Sequence, residues 1–166
     1  MYRKIEDFQA DWGYEAEITT KLFSNLTDES LNQKINDGGR TLGFVAWHIV
    51  ITLGEMLGKV GLAIDCPAED APQPSSAREI TEAFERAAKS VSEEVVKNWT
   101  DETLLVEDEM YGMIWKRGTT LSSLINHQSH HRGQVTVLMR QANVPVIGVY
   151  GPAKEEWEAM GMAALA

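Results

Sequence analysis

Apolar residues recur at intervals of three and four positions in four separate segments of this chain, and this pattern restricts its fold more than any other feature. In the clearest segment, which opens at Gly118-Thr119-Thr120, the apolar positions are Leu121, Leu124, Ile125, Val135, Leu138, Met139 and Ala142. Such spacing places apolar side chains on one face of a helix. The chain therefore predicts amphipathic helices that bury these faces against one another.

The four predicted helices have recognisable ends. They cover approximately residues 5–25, 42–60, 77–99 and 118–142, and Thr41 is the predicted N-cap of the second. With 166 residues, of which 43% are hydrophobic, the chain is long enough to bury a substantial core. Because the remaining segments are shorter or rich in helix breakers, these four helices define the expected architecture.

The segments between the helices also make specific predictions. Residues 66–75 carry three of the five prolines and predict a long irregular crossover, and Ser76-Ala77-Arg78-Glu79 after it is typical of a capping box. Residues 101–118 are interpreted as a connector in which a short hairpin is one alternative. The tail, residues 153–165, predicts a short extra helix with Trp157 as its packing anchor.

Together these elements predict an all-α fold: a single domain over residues 1–166, built as a four-helix bundle with a long crossover connection and a short extra C-terminal helix. In such bundles, ligand and metal sites are built from side chains on facing helices. Self-association, including a homodimer, is compatible with this fold, but no sequence feature fixes a stoichiometry.

Charge and cysteine content exclude several classes of function. The 15 basic and 25 acidic residues give a net charge of -10, opposite in sign to the proteins that bind nucleic acid or anionic membranes. The single cysteine, Cys66, excludes an internal disulfide and a multi-thiolate zinc site. The N-terminus lacks a signal-like apolar run, and polar residues interrupt the most apolar segment, so we expect a cytoplasmic protein without a membrane span.

Three of the four histidines lie in the run His127-Gln128-Ser129-His130-His131 of the fourth predicted helix. At about 100° per residue, His131 lies about 50° from the centre of the apolar face, His127 about 90° and His130 about 150°. His127 and His131, one turn apart, are therefore the inward candidates. His48, at roughly 110° from the apolar centre of the second helix, could supply a third ligand.

Three neutral imidazoles suit Zn²⁺ or Ni²⁺ and leave a coordination position open, which indicates catalysis more than structure. An open position favours either a bound thiolate or an acidified water molecule, and the residues alone do not distinguish the two. An ordinary interpretation also stands at this point, because a helical H-x-x-x-H pair arises by chance and histidines are often partly buried without a ligand.

Several motifs, in this order and spacing, resemble the DinB/YfiT-like family: Gly39-Arg40-Thr41-Leu42-Gly43-Phe44-Val45-Ala46-Trp47-His48, Tyr111-Gly112, Trp115-Lys116-Arg117-Gly118, His127-x-x-x-His131-Arg132-Gly133-Gln134, Val144-Pro145 and Val149-Tyr150-Gly151-Pro152. The resemblance covers about residues 39–157. It implies a four-helix bundle in which His48, His127 and His131 hold a divalent metal. The family includes S-transferases that use bacillithiol, mycothiol or related thiols, so the resemblance implies a thiol S-transferase acting on a small molecule. A metal-dependent hydrolase and a non-enzymatic, stress-related binding module are the alternatives.

Two polar residues follow the histidines and are candidates for contacts behind them. Gln134 is one turn beyond His131 and can reach the same end of the bundle, whereas Arg132 can bind an anion or, as we favour, pair with acidic residues such as those on the third helix. Gln128 lies near the apolar face, where an unpaired amide is costly, so we expect a backbone or histidine partner.

A few other residues have weaker implications. Glu55 is two helical turns from His48, roughly 10 Å by helical rise, and is therefore too distant to be a further ligand. Trp47 and Trp115 can line a cavity or anchor the core. Cys66 is interpreted as incidental, no catalytic residue is assigned, and no organic cofactor is indicated.

Overall fold

Four long helices account for most of the residues that the computed structural model describes, which are residues 1–163. They are α1 (Ile5–Phe23), α2 (Leu42–Gly58), α3 (Ala77–Asn98) and α4 (Arg117–Gln141). A two-stranded hairpin, β1 (Glu107–Met110) and β2 (Met113–Lys116), joins α3 to α4. The predicted all-α four-helix bundle is confirmed, with this small hairpin as its only sheet within the described residues.

The helices pack so that α2 contacts both α3 and α4, while α1 contacts the same two helices from the other side. In α3 the buried residues recur every three to four positions, as the amphipathic pattern predicted: Ile80, Phe84, Ala87, Val91 and Val95. The α2 helix is buried on more of its circumference because it has neighbours on several sides. Its contacts with α4 bring their facing side chains together near the middle of the bundle.

The long crossover between α2 and α3 is fastened to the bundle by polar contacts. Trp47 donates its indole hydrogen to the Ala71 carbonyl at 2.9 Å, and the Ser90 hydroxyl accepts from the Asp65 amide at 2.9 Å. The Cys66 thiol donates to the Val50 carbonyl at 3.3 Å. These contacts give Trp47 and Cys66 a packing role in the connection.

The N-terminus of α3 is capped by a residue from a distant loop. Ser76 occupies the N-cap position, but its side chain makes no capping hydrogen bond, so the predicted capping box is wrong. Instead the Asp28 carboxylate accepts from the Ala77 amide at 2.7 Å. A carboxylate at this place also interacts favourably with the helix dipole.

Replacing Asp28 by alanine is therefore expected to lower the free energy of unfolding by about 1 kcal/mol, the usual effect of losing an N-cap. Ser76→Ala serves as the matched control and is expected to change it by less than about 0.5 kcal/mol. Urea unfolding followed by circular dichroism measures both. A larger loss for Ser76→Ala than for Asp28→Ala would contradict this assignment of the cap.

The connector before α4 adopts the hairpin that sequence left as one alternative. Tyr111 and Gly112 form its two-residue turn and both have positive φ, 55° and 77°. This combination is typical of the tight turn that matches the twist of a hairpin. The hairpin is held to α4 by Arg117, whose Nε donates to Asp108 at 2.9 Å.

The tail after α4 differs from its prediction. Where an extra helix was expected, the described residues form only a 3-10 turn, Lys154–Glu156, followed by further turns. The Glu156 carboxylate accepts from the Gly148 and Ala153 amides, and these local bonds replace helical ones. Trp157 is only partly buried and is not part of the core formed by residues 1–163, and Leu165 lies outside the described residues.

Within residues 1–163, no helix combines the length and the apolar character needed to cross a bilayer. The apolar character of α2, the most apolar helix, is explained by its contacts with α3 and α4.

Candidate metal centre

Three imidazoles from two helices converge between α2 and α4. His48 comes from the middle of α2, and His127 and His131 project one turn apart from α4. His127 Nε2 lies 3.2 Å from His48 Nε2 and 3.1 Å from His131 Nε2, and the candidate ligand atoms of all three lie within 4.8 Å of one another. The structure therefore brings together the three residues that the family resemblance implied.

The spacing of these nitrogens fits a single small dication. Around a tetrahedral zinc ion with Zn–N bonds of about 2.0–2.1 Å, neighbouring ligand nitrogens are about 3.3 Å apart. Both measured separations from His127 Nε2 are close to that value. Three imidazoles without a thiolate or carboxylate form the donor set, so His48, His127 and His131 are able to hold a divalent ion and leave a position open.

Burial keeps the three imidazoles neutral. Removal from solvent lowers the pKa of His127 to about 4, and the nearby histidines lower it further in the same direction. Removal from solvent likewise lowers the pKa of His48 and of His131. Neutral imidazoles keep a free lone pair, which is the form that binds a metal.

The same shifts predict how the metal-free protein responds to acid. Because the pKa of His127 is near 4 when folded and near 6.5 ordinarily, the unfolded chain binds more protons between these values. This contribution to stability is present above about pH 6.5 and is lost as pH falls toward 4. Urea unfolding in the presence of a chelator should therefore show lower stability at about pH 5 than at pH 7. His127→Ala should reduce that difference, and an unchanged difference would contradict the assignment.

A hydrogen-bonded chain lies behind His131. Its Nδ1 is 2.8 Å from Gln134 Oε1, and Gln134 Nε2 is 3.2 Å from His130 Nε2. In this amide orientation the His131 Nδ1–H donates to Gln134, which leaves Nε2 of His131 with the free lone pair. His130 itself is exposed on the outer face of α4, whereas His131 is buried.

Gln134→Ala is expected to weaken the affinity for Zn²⁺ about 10–100-fold without abolishing binding, because it removes the group that fixes the His131 tautomer. Gln141→Ala, at the exposed end of the same helix, is a matched control and should leave the affinity unchanged. A competition titration against a chromophoric chelator measures the difference. Equal affinities for the two variants would remove Gln134 from the site.

Arg132 does not reach the histidines. It is 1% exposed, and its guanidinium donates to the carboxylate of Glu15 on α1, to the Glu15 carbonyl at 3.0 Å and to the Thr19 hydroxyl at 3.0 Å. A further hydrogen bond of 2.7 Å joins it to Tyr150. The favoured interpretation, in which Arg132 pairs with an acidic residue, agrees with these contacts, but that residue lies on α1 rather than on the third helix. Its role is to join α1, α4 and the segment after α4.

The buried amide of Gln128 has a backbone partner for its nitrogen, whereas its Oε1 has no partner among the described residues. Its Nε2 donates to the Ile49 carbonyl at 3.1 Å. Ile49 directly follows His48 in α2, so this bond fixes the relative height of the two helices that carry the histidines. The predicted backbone partner is confirmed, and it belongs to the facing helix.

A cavity of about 400 Å³ opens beside His48 and His127. Glu55 and Tyr111 also line it, and the Tyr111 hydroxyl donates to the Glu55 carboxylate at 2.6 Å. Trp115 lines it as well, which is one of the two roles considered for that residue. The pairing of Tyr111 with Glu55 was not found from sequence. The tight Tyr-Gly turn was the available signal, since an aromatic residue with positive φ is uncommon.

The fold and the histidine cluster together define a class of protein: a four-helix bundle whose second and fourth helices bring three histidines within reach of one metal ion. The family model of the DinB family matches residues 1–163, so the chain belongs to the DinB family. That family is metal-binding in general.

Particular relatives agree with this assignment. The chain is 43% identical over 164 residues to the uncharacterized protein YrdA of Bacillus subtilis (strain 168), an alignment that covers 99% of this chain and 98% of YrdA. The crystal structure of a DinB-like protein from Bacillus cereus ATCC 10987 is similar with a TM-score of 0.87 and 44% identity, over 90% of this chain and 100% of that one. A DinB-like protein of Bacillus subtilis, YjoA, has the same fold with a TM-score of 0.68 at 11% identity, over 89% of this chain and 99% of that one.

Proposed function

We propose that this chain is a metal-dependent enzyme, a thiol S-transferase, whose ion is held by His48, His127 and His131. The observation that carries the proposal is the convergence of three neutral imidazoles next to a cavity of about 400 Å³. Zn²⁺ and Ni²⁺ are the ions that such a donor set suits best. The partners proposed are a low-molecular-weight thiol and a small electrophile.

The bound dication would supply the acidity that favours a thiolate over a thiol at neutral pH. The protein itself supplies the cavity that binds the substrate. Met56 and Trp115 provide apolar walls for the cavity in front of His48 and His127. A cavity of this size and lining favours a small, partly apolar electrophile.

Tyr111 and Glu55 give the wall of the cavity a hydrogen-bonded polar pair, and Lys59 lies 3.3 Å from the same carboxylate. Burial, together with the Glu55 hydrogen bond, raises the pKa of Tyr111, so its hydroxyl keeps its proton. In the transfer, a bond forms between the thiol sulfur and an electrophilic carbon, and the leaving group departs with its bonding electron pair. The proton released by the thiol leaves to solvent through the open side of the cavity.

Hydrolysis is the second candidate function, and the open position of the three-histidine donor set supports it as well as it supports transfer. An ion held by these histidines would acidify a bound water molecule just as it would favour a thiolate. The two reactions differ only in their nucleophile. A non-enzymatic binding module would use the same cavity without turnover.

A thiol-transfer screen tests the proposal. Zinc- and nickel-loaded protein is incubated with bacillithiol, mycothiol or cysteine and with monobromobimane or 1-chloro-2,4-dinitrobenzene, and the S-conjugates are quantified. We expect conjugate formation that depends on the thiol and is lost in His131→Ala. Turnover of 4-nitrophenyl acetate without a thiol would identify a hydrolase instead. No turnover of either substrate class, or full activity in His131→Ala, would overturn the proposed transferase.

A further inference from the structure

A second concavity, separate from the cavity in front of the histidines, lies between α4 and the loop that precedes α2. It has a volume of about 460 Å³, within the usual range for a small-molecule site. Its lining includes Ile35 and Arg40 from the loop and His130, Gly133 and Val137 from α4. None of His48, His127 and His131 lines it, but Gln134, which contacts His131, does, so the groove borders the candidate metal centre without including its ligands.

The groove has a buried apolar floor and two apolar side chains beside it that are exposed to solvent. Val45 and Leu138 form a buried apolar floor, at 4% and 5% exposure. Ile35 and Val137 rise beside it and are 60% and 45% exposed. The polar lining residues are Arg40, His130 and Gln134. The groove therefore combines an apolar floor with polar groups beside it.

The charge of the groove comes from Arg40. No ion pair among residues 1–163 includes Arg40, although Asp37 is only three positions away in the chain. Its guanidinium is 4.7 Å from the centre of the Phe44 ring, a contact that holds it at the groove. A guanidinium in this position is suited to pairing with an anionic group.

Glycine at position 133 keeps the groove open. It lies in the interior of α4, where glycine is unfavourable, yet a Cβ built on it meets no atom within 4 Å. Packing therefore does not require glycine there. A side chain at position 133 would instead extend into the groove that Gly133 lines.

We infer that this groove binds a small organic anion, a molecule with an apolar body and one carboxylate, with the carboxylate on Arg40 and the body against Val45, Leu138 and Val137. The two properties of the ligand follow from the charge of Arg40 and from the apolar floor of the groove. Binding there does not depend on turnover at the histidines, so the inference stands apart from the proposed transferase activity.

Titration calorimetry of the metal-loaded protein with octanoate and with 1-octanol tests this inference. We expect octanoate to bind at least about tenfold more tightly than octanol, the contribution of one charge-assisted hydrogen-bonded pair. Arg40→Gln should remove that advantage and leave the octanol affinity unchanged. Arg86→Gln, an arginine outside the groove, is the matched control and should have no effect.

A second variant tests the groove itself. Gly133→Leu should weaken both probes at least about tenfold by filling the space, whereas Gly13→Leu, on an exposed part of α1 that is equally open, should weaken neither. Circular dichroism shows whether each variant is folded. If Gly133→Leu does not fold, the Arg40→Gln result alone decides the test. Octanoate binding that persists in Arg40→Gln but is lost in His127→Ala would place the anion at the histidines and overturn the inference.

Discussion

His127→Ala is expected to reduce the affinity for Zn²⁺ by more than the 10–100-fold that loss of a supporting contact causes. His127 Nε2 is the atom closest to both other imidazoles, at 3.2 Å and 3.1 Å, so its removal leaves no adjacent pair of ligands within these distances. Metal content per chain, measured by plasma mass spectrometry after desalting, should fall from near one ion to near zero. The competition titration used for Gln134→Ala then ranks the variants.

His130→Ala is the matched control, because His130 lies in the same helix and differs in facing outward. It should retain the ion, with at most the loss caused by disturbing its contact with Gln134. Equal loss in His127→Ala and His130→Ala would indicate that the ion is bound by the surface of α4 rather than between α2 and α4. Full retention in both would remove the three-histidine centre altogether.

Arg132→Met is expected to lower the free energy of unfolding by about 3–5 kcal/mol, the largest stability effect of any single change considered. The substitution leaves the Glu15 carboxylate, which is 6% exposed, without its buried partner. It also removes the hydrogen bonds to Thr19 and Tyr150. Urea unfolding at about pH 7 measures the loss, and the metal content should remain unchanged because Arg132 does not contact the histidines.

Two further variants separate the buried pair from a general effect of removing arginine. Arg140→Ala breaks an exposed pair with Glu155 and should cost less than about 1 kcal/mol. The double variant Glu15→Leu with Arg132→Met removes both buried charges and should recover part of the stability lost in the single variant. A loss below about 1 kcal/mol in Arg132→Met would contradict the structural role assigned to this pair.

The parts of the fold that sequence predicted well are those that local patterns determine. The apolar period fixed the four helices to within a few residues, and the Thr41 side chain accepts from the Phe44 amide at 3.0 Å as its N-cap position predicted. The cap of α3 was not predictable in this way. Asp28 lies 49 positions from Ala77, and no local pattern shows that the loop carrying it returns to that helix.

In the candidate site too, local spacing predicted some residues, whereas contacts between distant residues could not be predicted. The convergence of His127 and His131 follows from a spacing of four within one helix, and helical facing separated them from His130. The partner of Arg132 could not be predicted in this way. Arg132 faces α1 and pairs with the buried Glu15, which lies 117 positions away in the sequence. Tyr111 and Glu55 are separated by 56 positions and meet only because the hairpin folds over α2.

The hairpin between α3 and α4 adds two residues, Tyr111 and Trp115, to a cavity otherwise lined by the packed helices. Met110 anchors β1 in the core, but the turn and the start of β2 are exposed, with Tyr111, Met113 and Ile114 at 51%, 52% and 65%. Substitutions of Tyr111 or Trp115 would change the walls of the cavity while the packed helices and their histidines stay as they are. Grafting one hairpin for another would therefore reshape the cavity without a new scaffold.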